Sequence, residues 1–248
     1  MEIRRFAELD STSEEARRHA EAGGVTPVWI IADRQTSGRG RRGRAWLSPP
    51  GNFTGTLLLQ PQCNPRKASE LSFVAAVAIH DAVDALLPPP LRAGLKLKWP
   101  NDLLHTRRKL AGILLESSGV AEGELAWLSI GIGINLQHHP EGTAYPATSL
   151  AAIGAGMVTP DEMLQSLDEA FRRYLHQWQM LEGFSSIRRA WLARAEGVGS
   201  QVTVRLPEES FEGLFEGLAE DGAAQIRLGS GELRLVSAGD VFFPGASG

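Results

Sequence analysis

The strongest local signal in this chain is Asp33-Arg34-Gln35-Thr36-Ser37-Gly38-Arg39-Gly40-Arg41-Arg42-Gly43-Arg44-Ala45-Trp46. This segment, called the arginine loop below, holds five of the chain's 25 basic residues within eleven positions, although the whole chain carries a net charge of -4. Its glycines let the backbone approach a ligand closely, and its arginines present planar charged groups that suit phosphate and carboxylate oxygens. The segment therefore predicts an anion-binding loop, with a solvated, arginine-rich surface loop as the alternative.

The spacing of Gly38, Gly40 and Gly43 also matches the G-x-G-x-x-G pattern of dinucleotide-binding folds. In those folds a tight turn joins a strand to a helix, and the helix N-terminus holds the pyrophosphate. Here six residues, 33–38, follow the apolar run 28–32 where a tight turn is needed, and Ser-Pro-Pro-Gly at 48–51 cannot open a helix. The context therefore predicts a long loop after a strand and argues against a doubly wound parallel sheet.

The composition is that of a globular protein with one large core and a small second unit, because 248 residues contain 43% hydrophobic and 22% charged residues. The sequence contains no apolar run long enough to span a bilayer and no signal peptide, so we expect a cytoplasmic protein that does not bind membranes. A single cysteine, Cys63, excludes an internal disulfide and a cysteine-rich metal site. The mild acidity argues against broad nucleic-acid binding.

Periodicity and capping signals predict an α+β fold, with a mixed sheet and separately grouped helices. Predicted helices run from Ser11 to Gly23, over 69–87, from Thr159 to 179 and over 186–195; predicted strands cover 28–32, 53–60, 95–99, 110–116 and 125–136, with a turn at 121–124 between the last two and a loop over 138–156. At Ser11, the pattern predicts a capping box in which Glu14 reaches back to the cap. Five short predicted strands (201–206, 211–218, 224–228, 232–236 and 240–243) then indicate a small closed β-barrel. We place the domain boundary near Val198, giving a catalytic domain 1–197 and a barrel 198–248.

Four motifs, in this order and spacing, resemble those of the biotin protein ligases: the arginine loop from Gly38 to Trp46, Lys98-Trp99-Pro100-Asn101-Asp102, Lys109-Leu110-Ala111-Gly112-Ile113-Leu114-Leu115-Glu116 and Gly131-Ile132-Gly133-Ile134-Asn135-Leu136. The resemblance covers the catalytic part closely and the C-terminal barrel in outline. It implies the fold shared with class II aminoacyl-tRNA synthetases, followed by an SH3-like barrel.

The resemblance also implies a two-step reaction with ATP, biotin and Mg2+. The biotin carboxylate attacks the α-phosphate of ATP to give biotinyl-5'-AMP, which then acylates one lysine of a biotin carboxyl carrier domain. The arginine loop suits this chemistry, because an attack by a carboxylate on a triphosphate requires cations that are in place before the reaction.

The site residues that the resemblance implies fall into three groups. The catalytic residues are Lys109, Arg41 and Asp102, the last to orient the incoming lysine or Mg2+. The biotin-binding residues are Ser11, Thr12, Gln35, Gly38, Arg39, Lys109 and Gly112. The nucleotide-binding residues are Arg41, Arg44, Trp46, Lys98, Asn101 and Asn135. Of the arginines in the loop's glycine-rich part, Arg42 is predicted to be the one that is merely solvated.

Ser13 departs from the family pattern, since family members often have Asn at this position. The sequence opens directly on the catalytic motifs, without a helix-turn-helix, so we expect no DNA binding. Monomeric and homodimeric forms both fit the sequence. A lipoate or octanoate ligase is the nearest alternative, and an RNA-binding module that uses the arginine loop and the barrel is an alternative of another class. The arginine loop is also expected to order when it closes over the adenylate.

Overall fold

The computed structural model describes residues 1–121, 123–143, 145–180 and 183–243. Three parts of the sequence-based interpretation extend outside these residues: the predicted turn at Glu122, position 144 of the predicted loop, and the last five residues of the predicted barrel domain.

A seven-stranded mixed sheet forms the centre of the N-terminal part. The strands there are β1 (Glu2–Leu9), β2 (Val28–Gln35), β3 (Phe53–Leu59), β4 (Leu95–Lys98), β5 (Asp102–His105), β6 (Arg108–Ser117), β7 (Val120–Ala121), β8 (Glu124–Leu125) and β9 (Leu128–Ile134). The large sheet has the order β1-β2-β3-β9-β6-β5-β4, and β7 and β8 form a separate small hairpin. The β1–β2 pair is parallel and the other pairs of the large sheet are antiparallel, which confirms the predicted mixed sheet.

Two strands of the sheet were not predicted. Strand β1 lies at the edge and carries charged residues along its length, so it lacks the apolar run of a central strand. Strand β5 follows Pro100, which was interpreted as the end of β4 but lies in the tight connection between two antiparallel strands. The predicted strand 125–136 is also interrupted, because the Ser118 hydroxyl accepts the N–H of Ala126 (2.8 Å) and removes it from the ladder.

The helices cover the two faces of the sheet unequally. They are α1 (Thr12–Glu21), α2 (Pro65–Ala68), α3 (Leu71–Leu86), α4 (Pro89–Arg92), α5 (Pro160–Gln179) and α6 (Gly183–Ala193). On β2, Trp29 and Ile31 belong to the main core, which also contains the buried residues of α3 and α5. The alternate residues Val28 and Ile30 pack against Ala16 of α1 on the opposite face. The predicted helices are thus confirmed, with ends shifted by a few residues.

In strand β9, side chains that point alternately to the two faces of the sheet leave space for a site on one of them. Ile130, Ile132 and Ile134 belong to the main core, whereas Gly131 and Gly133 project toward the face that carries α1. Glycines at these positions let other groups come close to the backbone of the sheet. The face beside α1 is therefore the one on which a ligand can reach the strands.

The C-terminal part is a five-stranded antiparallel sheet with the order β13-β12-β11-β10-β14. Its strands are β10 (Ser200–Arg205), β11 (Ser210–Leu218), β12 (Ala224–Arg227), β13 (Leu233–Val236) and β14 (Asp240–Phe242), as predicted to within one or two residues. Strands β13 and β14 stand at opposite ends of this order.

Hydrogen bonds fix the C-terminal sheet against the N-terminal part. The indole N–H of Trp99 donates to the carbonyl of Gly222 (3.1 Å), and Arg188 Nε donates to the carbonyl of Leu218 (2.9 Å). Trp99 belongs to the Lys98–Asp102 motif, so this contact links the sheet directly to a candidate site segment. Among the described residues, no helix combines the length and the apolar character needed to cross a membrane.

Candidate active site

A cavity of about 480 Å³ lies between the arginine loop, the α1 face of the sheet and the C-terminal sheet. The predicted site residues that line it are Ser11, Thr12, Gln35, Arg39, Arg41, Arg44, Trp46, Lys98, Asn101, Asp102, Lys109, Gly112 and Asn135. Five cationic side chains and two carboxylates line the cavity, so positive charge predominates. The four sequence motifs therefore meet at one place.

Gly38 is the predicted site residue that does not line the cavity. Its carbonyl accepts the N–H of Trp46 (2.9 Å), and a Cβ at this position would lie 2.5 Å from the Trp46 carbonyl oxygen and 2.7 Å from Gln35 Nε2. Gly38 is thus required by the close return of the arginine loop on itself rather than by a ligand-facing position.

The glycines of β6 and β9 form a floor under Trp46. A Cβ on Gly133 would overlap the indole ring, and a Cβ on Gly112 would lie 3.2 Å from Trp46 Cζ3 and 3.3 Å from Lys109 Nζ. The ammonium of Lys109 lies 5.6 Å from the centroid of the Trp46 ring. Trp46 is half-buried above these strands and is therefore a wall of the cavity rather than a core residue.

Asp102 lies between two lysines at the inner end of the cavity. Its Oδ2 accepts from Lys98 Nζ (3.1 Å), and its Oδ1 forms an ion pair with Lys109 Nζ at 2.6 Å. Burial alone would raise the pKa of Asp102, but Lys109 and Lys98 hold it well below its usual range. The carboxylate is therefore ionised and holds both ammonium groups at the cavity wall.

Hydrogen bonds hold the centre of the arginine loop in place. Arg41 to Gly43 form one 3-10 turn, in which Arg42 has a φ of 56°. Arg41 Nη1 donates to Asn101 Oδ1 (3.1 Å) and to the carbonyl of Gly239 (3.4 Å), and burial lowers the pKa of its guanidinium. The side chain of Arg41 is thus held between the Lys98–Asp102 motif and the C-terminal sheet.

Arg39 makes its contacts at the other end of the loop. Its guanidinium pairs with Glu14 of α1 and lies 3.5 Å from Glu116 of β6. Glu14 also pairs with Arg17 (2.8 Å), so the capping box predicted at Ser11 is wrong in its second half. The first half is confirmed, because the Ser11 hydroxyl accepts the N–H of Ser13 (3.2 Å).

The comparisons with known proteins agree with this arrangement. Residues 9–135 match the Biotin/lipoate A/B protein ligase family, and residues 197–243 match the Biotin protein ligase C terminal domain. The chain is 42% identical over 245 residues to a biotin--[acetyl-CoA-carboxylase] ligase of Paracoccus denitrificans, an alignment that covers 97% of this chain and all of that protein. The chain belongs to the biotin/lipoate A/B protein ligase family.

Two further relatives place the chain within this family. It is 32% identical to the biotin--[acetyl-CoA-carboxylase] ligase of Mycobacterium tuberculosis, over 95% of this chain and 86% of that one. The structure of the biotin protein ligase from Aquifex aeolicus in complex with biotin and ATP superposes with a TM-score of 0.80 at 28% identity, over 97% of both chains. The fold predicted from the family resemblance is confirmed.

In this member of the family, strand β14 adds residues to the cavity that the sequence did not reveal. Asp240 accepts from Arg42 Nη1 (3.0 Å) and Arg44 Nη2 (3.3 Å), so the prediction that Arg42 is merely solvated is wrong. Phe242, two residues on, places its ring 5.9 Å from Lys98 Nζ, which also lies 4.5 Å from the ring of Tyr145. No local motif could reveal these contacts, since about 200 residues separate Asp240 from its arginines.

We predict that Asp240→Asn loosens the arginine loop of this ligase-family protein. The amide keeps the shape of the side chain but loses the charge that holds Arg42 and Arg44. Limited trypsin digestion of the ligand-free protein should then cleave within the loop several-fold faster than in the wild type. Glu220→Gln, which removes an exposed charge from the turn between β11 and β12, is the matched control. Equal cleavage of all three proteins would contradict a holding role for Asp240.

Proposed function

We propose that the protein is an ATP-dependent biotin protein ligase, which forms biotinyl-5'-AMP and transfers the biotinyl group to a lysine of a biotin carboxyl carrier domain. The observation that carries this proposal is the set of residues that line the cavity beside the arginine loop. One part is lined by Ser11, Thr12 and Gln35, which suit a rigid polar ring. The cationic residues line the rest, where an anionic acid and a triphosphate would meet.

The first step forms a bond between a biotin carboxylate oxygen and the α-phosphorus of ATP, while the bond to the departing pyrophosphate breaks. Both reactants are anions, so their approach is opposed unless nearby cations offset the repulsion. Lys109 is proposed to hold the carboxylate against the α-phosphate, and Arg39 to support the biotin carboxylate. Asp102 fixes Lys109 in position before the substrates bind.

The second step forms an amide bond between the carrier lysine and the biotinyl carbonyl, and AMP leaves. The amine must lose a proton to become a nucleophile, and Asp102 is proposed to orient it. Arg41 is proposed to retain the adenylate until the carrier arrives. The remaining nucleotide contacts are proposed for Arg44, Trp46, Lys98, Asn101 and Asn135.

The described residues contain no group of three or more His, Cys, Asp or Glu side chains that could hold a metal ion. Asp102, the candidate ligand, directs both of its oxygens at Lys98 and Lys109. We therefore propose that Mg2+ enters as part of the MgATP substrate and is held by the phosphates.

The wider setting of the reaction is also proposed. The acceptor is a biotin carboxyl carrier domain of a biotin-dependent carboxylase, and the compartment is the cytoplasm, where ATP is available. The catalytic domain is taken as residues 1–197 and the C-terminal domain as 198–248, a boundary between α6 and β10. The proposed reaction is compatible with a monomer and with a homodimer.

The function is tested by incubating the protein with biotin, MgATP and an isolated carrier domain, and then measuring the mass of the carrier. We expect one biotinyl group on one lysine, with no modification when ATP is omitted. Octanoate in place of biotin should give no product, because an aliphatic chain leaves the polar end of the cavity without hydrogen-bond partners. Octanoyl transfer in preference to biotinyl transfer would support the lipoate-type alternative, and retention of RNA without ATP turnover would support the RNA-binding one.

A further inference from the structure

A fully buried threonine lies behind the polar end of the cavity. Thr56 of β3 has no exposed surface and is not among the residues that line the cavity. Its hydroxyl donates to Thr12 Oγ1 (2.8 Å) and lies 3.3 Å from the hydroxyl of Ser13. Thr12 and Ser13 both line the cavity, so Thr56 can influence a ligand only through them.

The direction of these hydrogen bonds follows from the backbone. The N–H of Thr12, which can only donate, lies 2.7 Å from the side-chain amide of Gln35, so the Gln35 atom that faces it must be the oxygen. The same oxygen accepts the hydroxyl proton of Thr12 (3.0 Å). Because Thr12 has used its only hydroxyl proton, Thr56 must be the donor in the contact between the two threonines.

These assignments determine which hydrogen-bonding groups Thr12 and Gln35, which form this wall of the cavity, present to a ligand. Thr12 Oγ1 accepts from Thr56 and keeps one lone pair, so toward the cavity it is an acceptor only. Gln35 Nε2 donates one proton to Ser48 Oγ (2.9 Å) and keeps a second N–H. The wall thus presents an acceptor and a donor side by side. This pattern complements a ring N–H next to a carbonyl oxygen, as in a cyclic urea.

We infer that Thr56 is a positioning residue that, together with Gln35, holds the Thr12 hydroxyl oxygen in place as an acceptor, and thereby favours a ligand with a ring N–H at that point. The inference rests on the proposed function, since it assigns the ureido ring of biotin to this end of the cavity. Without the Thr56 hydroxyl, Thr12 keeps its hydrogen bond to Gln35 but loses the donor on its other side, so one hydrogen bond instead of two holds its oxygen. The acceptor is then less well placed for a ring N–H, and binding of biotin weakens more than binding of a ligand without that N–H.

The test compares Thr56→Val, which keeps the shape and removes the hydroxyl, with Thr56→Ser, which keeps the hydroxyl. Biotin-dependent pyrophosphate exchange gives the KM for biotin and for ATP, and the same assay uses a biotin analogue with one ring N–H replaced by oxygen. We expect Thr56→Val to raise the KM for biotin about three- to tenfold, the value of one net hydrogen bond, with the KM for ATP unchanged. It should also reduce the preference for biotin over the analogue.

Thr56→Ser should behave as the wild type in both measurements, and so should Thr203→Val, the same substitution at a residue of β10 that does not line the cavity. Equal KM values for biotin in wild type and Thr56→Val would overturn the inference, as would an unchanged preference over the analogue or a Thr56→Ser protein that behaves like Thr56→Val. A wild-type protein with no biotin-dependent exchange would instead refute the proposed function, so the two failures are distinguishable.

Discussion

Replacing Lys109 with alanine should abolish adenylate formation while the protein stays folded. The substitution removes the ammonium that is proposed to bring the carboxylate and the α-phosphate together. Loss of a charge placed before the reaction at such a junction typically lowers the rate by about 100-fold or more. Biotin-dependent pyrophosphate exchange measures this step directly, because it does not require the carrier.

A second substitution separates this role from the structural one. In Lys109→Ala, Asp102 keeps Lys98 but loses the closer of its two ammonium partners, and part of any defect could arise from that loss. Lys109→Arg keeps a positive charge beside Asp102 but cannot place a single compact donor at the same point. We expect the Lys109→Arg protein to unfold near the melting temperature of the wild type and to be inactive in biotin-dependent pyrophosphate exchange.

The control for these variants is Lys96→Ala, which removes a half-buried lysine on β4 that does not line the cavity. It should retain wild-type exchange. Exchange at the wild-type rate in both Lys109 variants would remove this residue from the mechanism and leave the cavity without its proposed centre.

The parts of the site that the sequence revealed are those whose signal is contiguous in the chain. The arginine loop, the Lys98–Asp102 motif and the alternating glycines of β9 each combine several unusual residues within a few positions. Their meeting point also follows from local rules, since alternation puts Gly131 and Gly133 on the face opposite the isoleucines. For these segments, the residue pattern is enough to predict which face of the sheet each residue lies on.

The parts that the sequence did not reveal depend on contacts between distant segments. Asp240 is an ordinary acidic residue near a turn until the C-terminal sheet places it against Arg42 and Arg44. Thr56 is one of several threonines on strands, and only the hydrogen bonds to Thr12 distinguish it. Gly38 was assigned to the ligand because it lies in the motif, whereas its position is determined by the return of the loop at Trp46. Pattern reasoning therefore identifies the segments of a site but does not show which atoms face the ligand.

Replacing Arg41 with glycine should turn the protein into a source of free adenylate. The Arg41 guanidinium is held between Asn101 and the carbonyl of Gly239 at the cavity wall, and it is proposed to retain biotinyl-5'-AMP. Loss of charge-assisted hydrogen bonds to a phosphate costs about 1.5–3 kcal/mol, which corresponds to roughly 10- to 100-fold faster release. Released adenylate acylates exposed lysines without selection, so biotinylation of a bystander protein such as albumin should rise by a similar factor.

The bystander assay is decisive because it depends on retention rather than on catalysis. Arg42→Gly is the matched control, since its side chain faces Asp240 rather than the cavity and glycine adopts its φ of 56° without strain. Arg44 keeps the contact with Asp240 in that variant, so bystander labelling should stay at the wild-type level. If Arg41→Gly labels albumin no more than Arg42→Gly does, while both still form adenylate, then the adenylate is retained by other groups. The cations around Lys109 would then be the first to test.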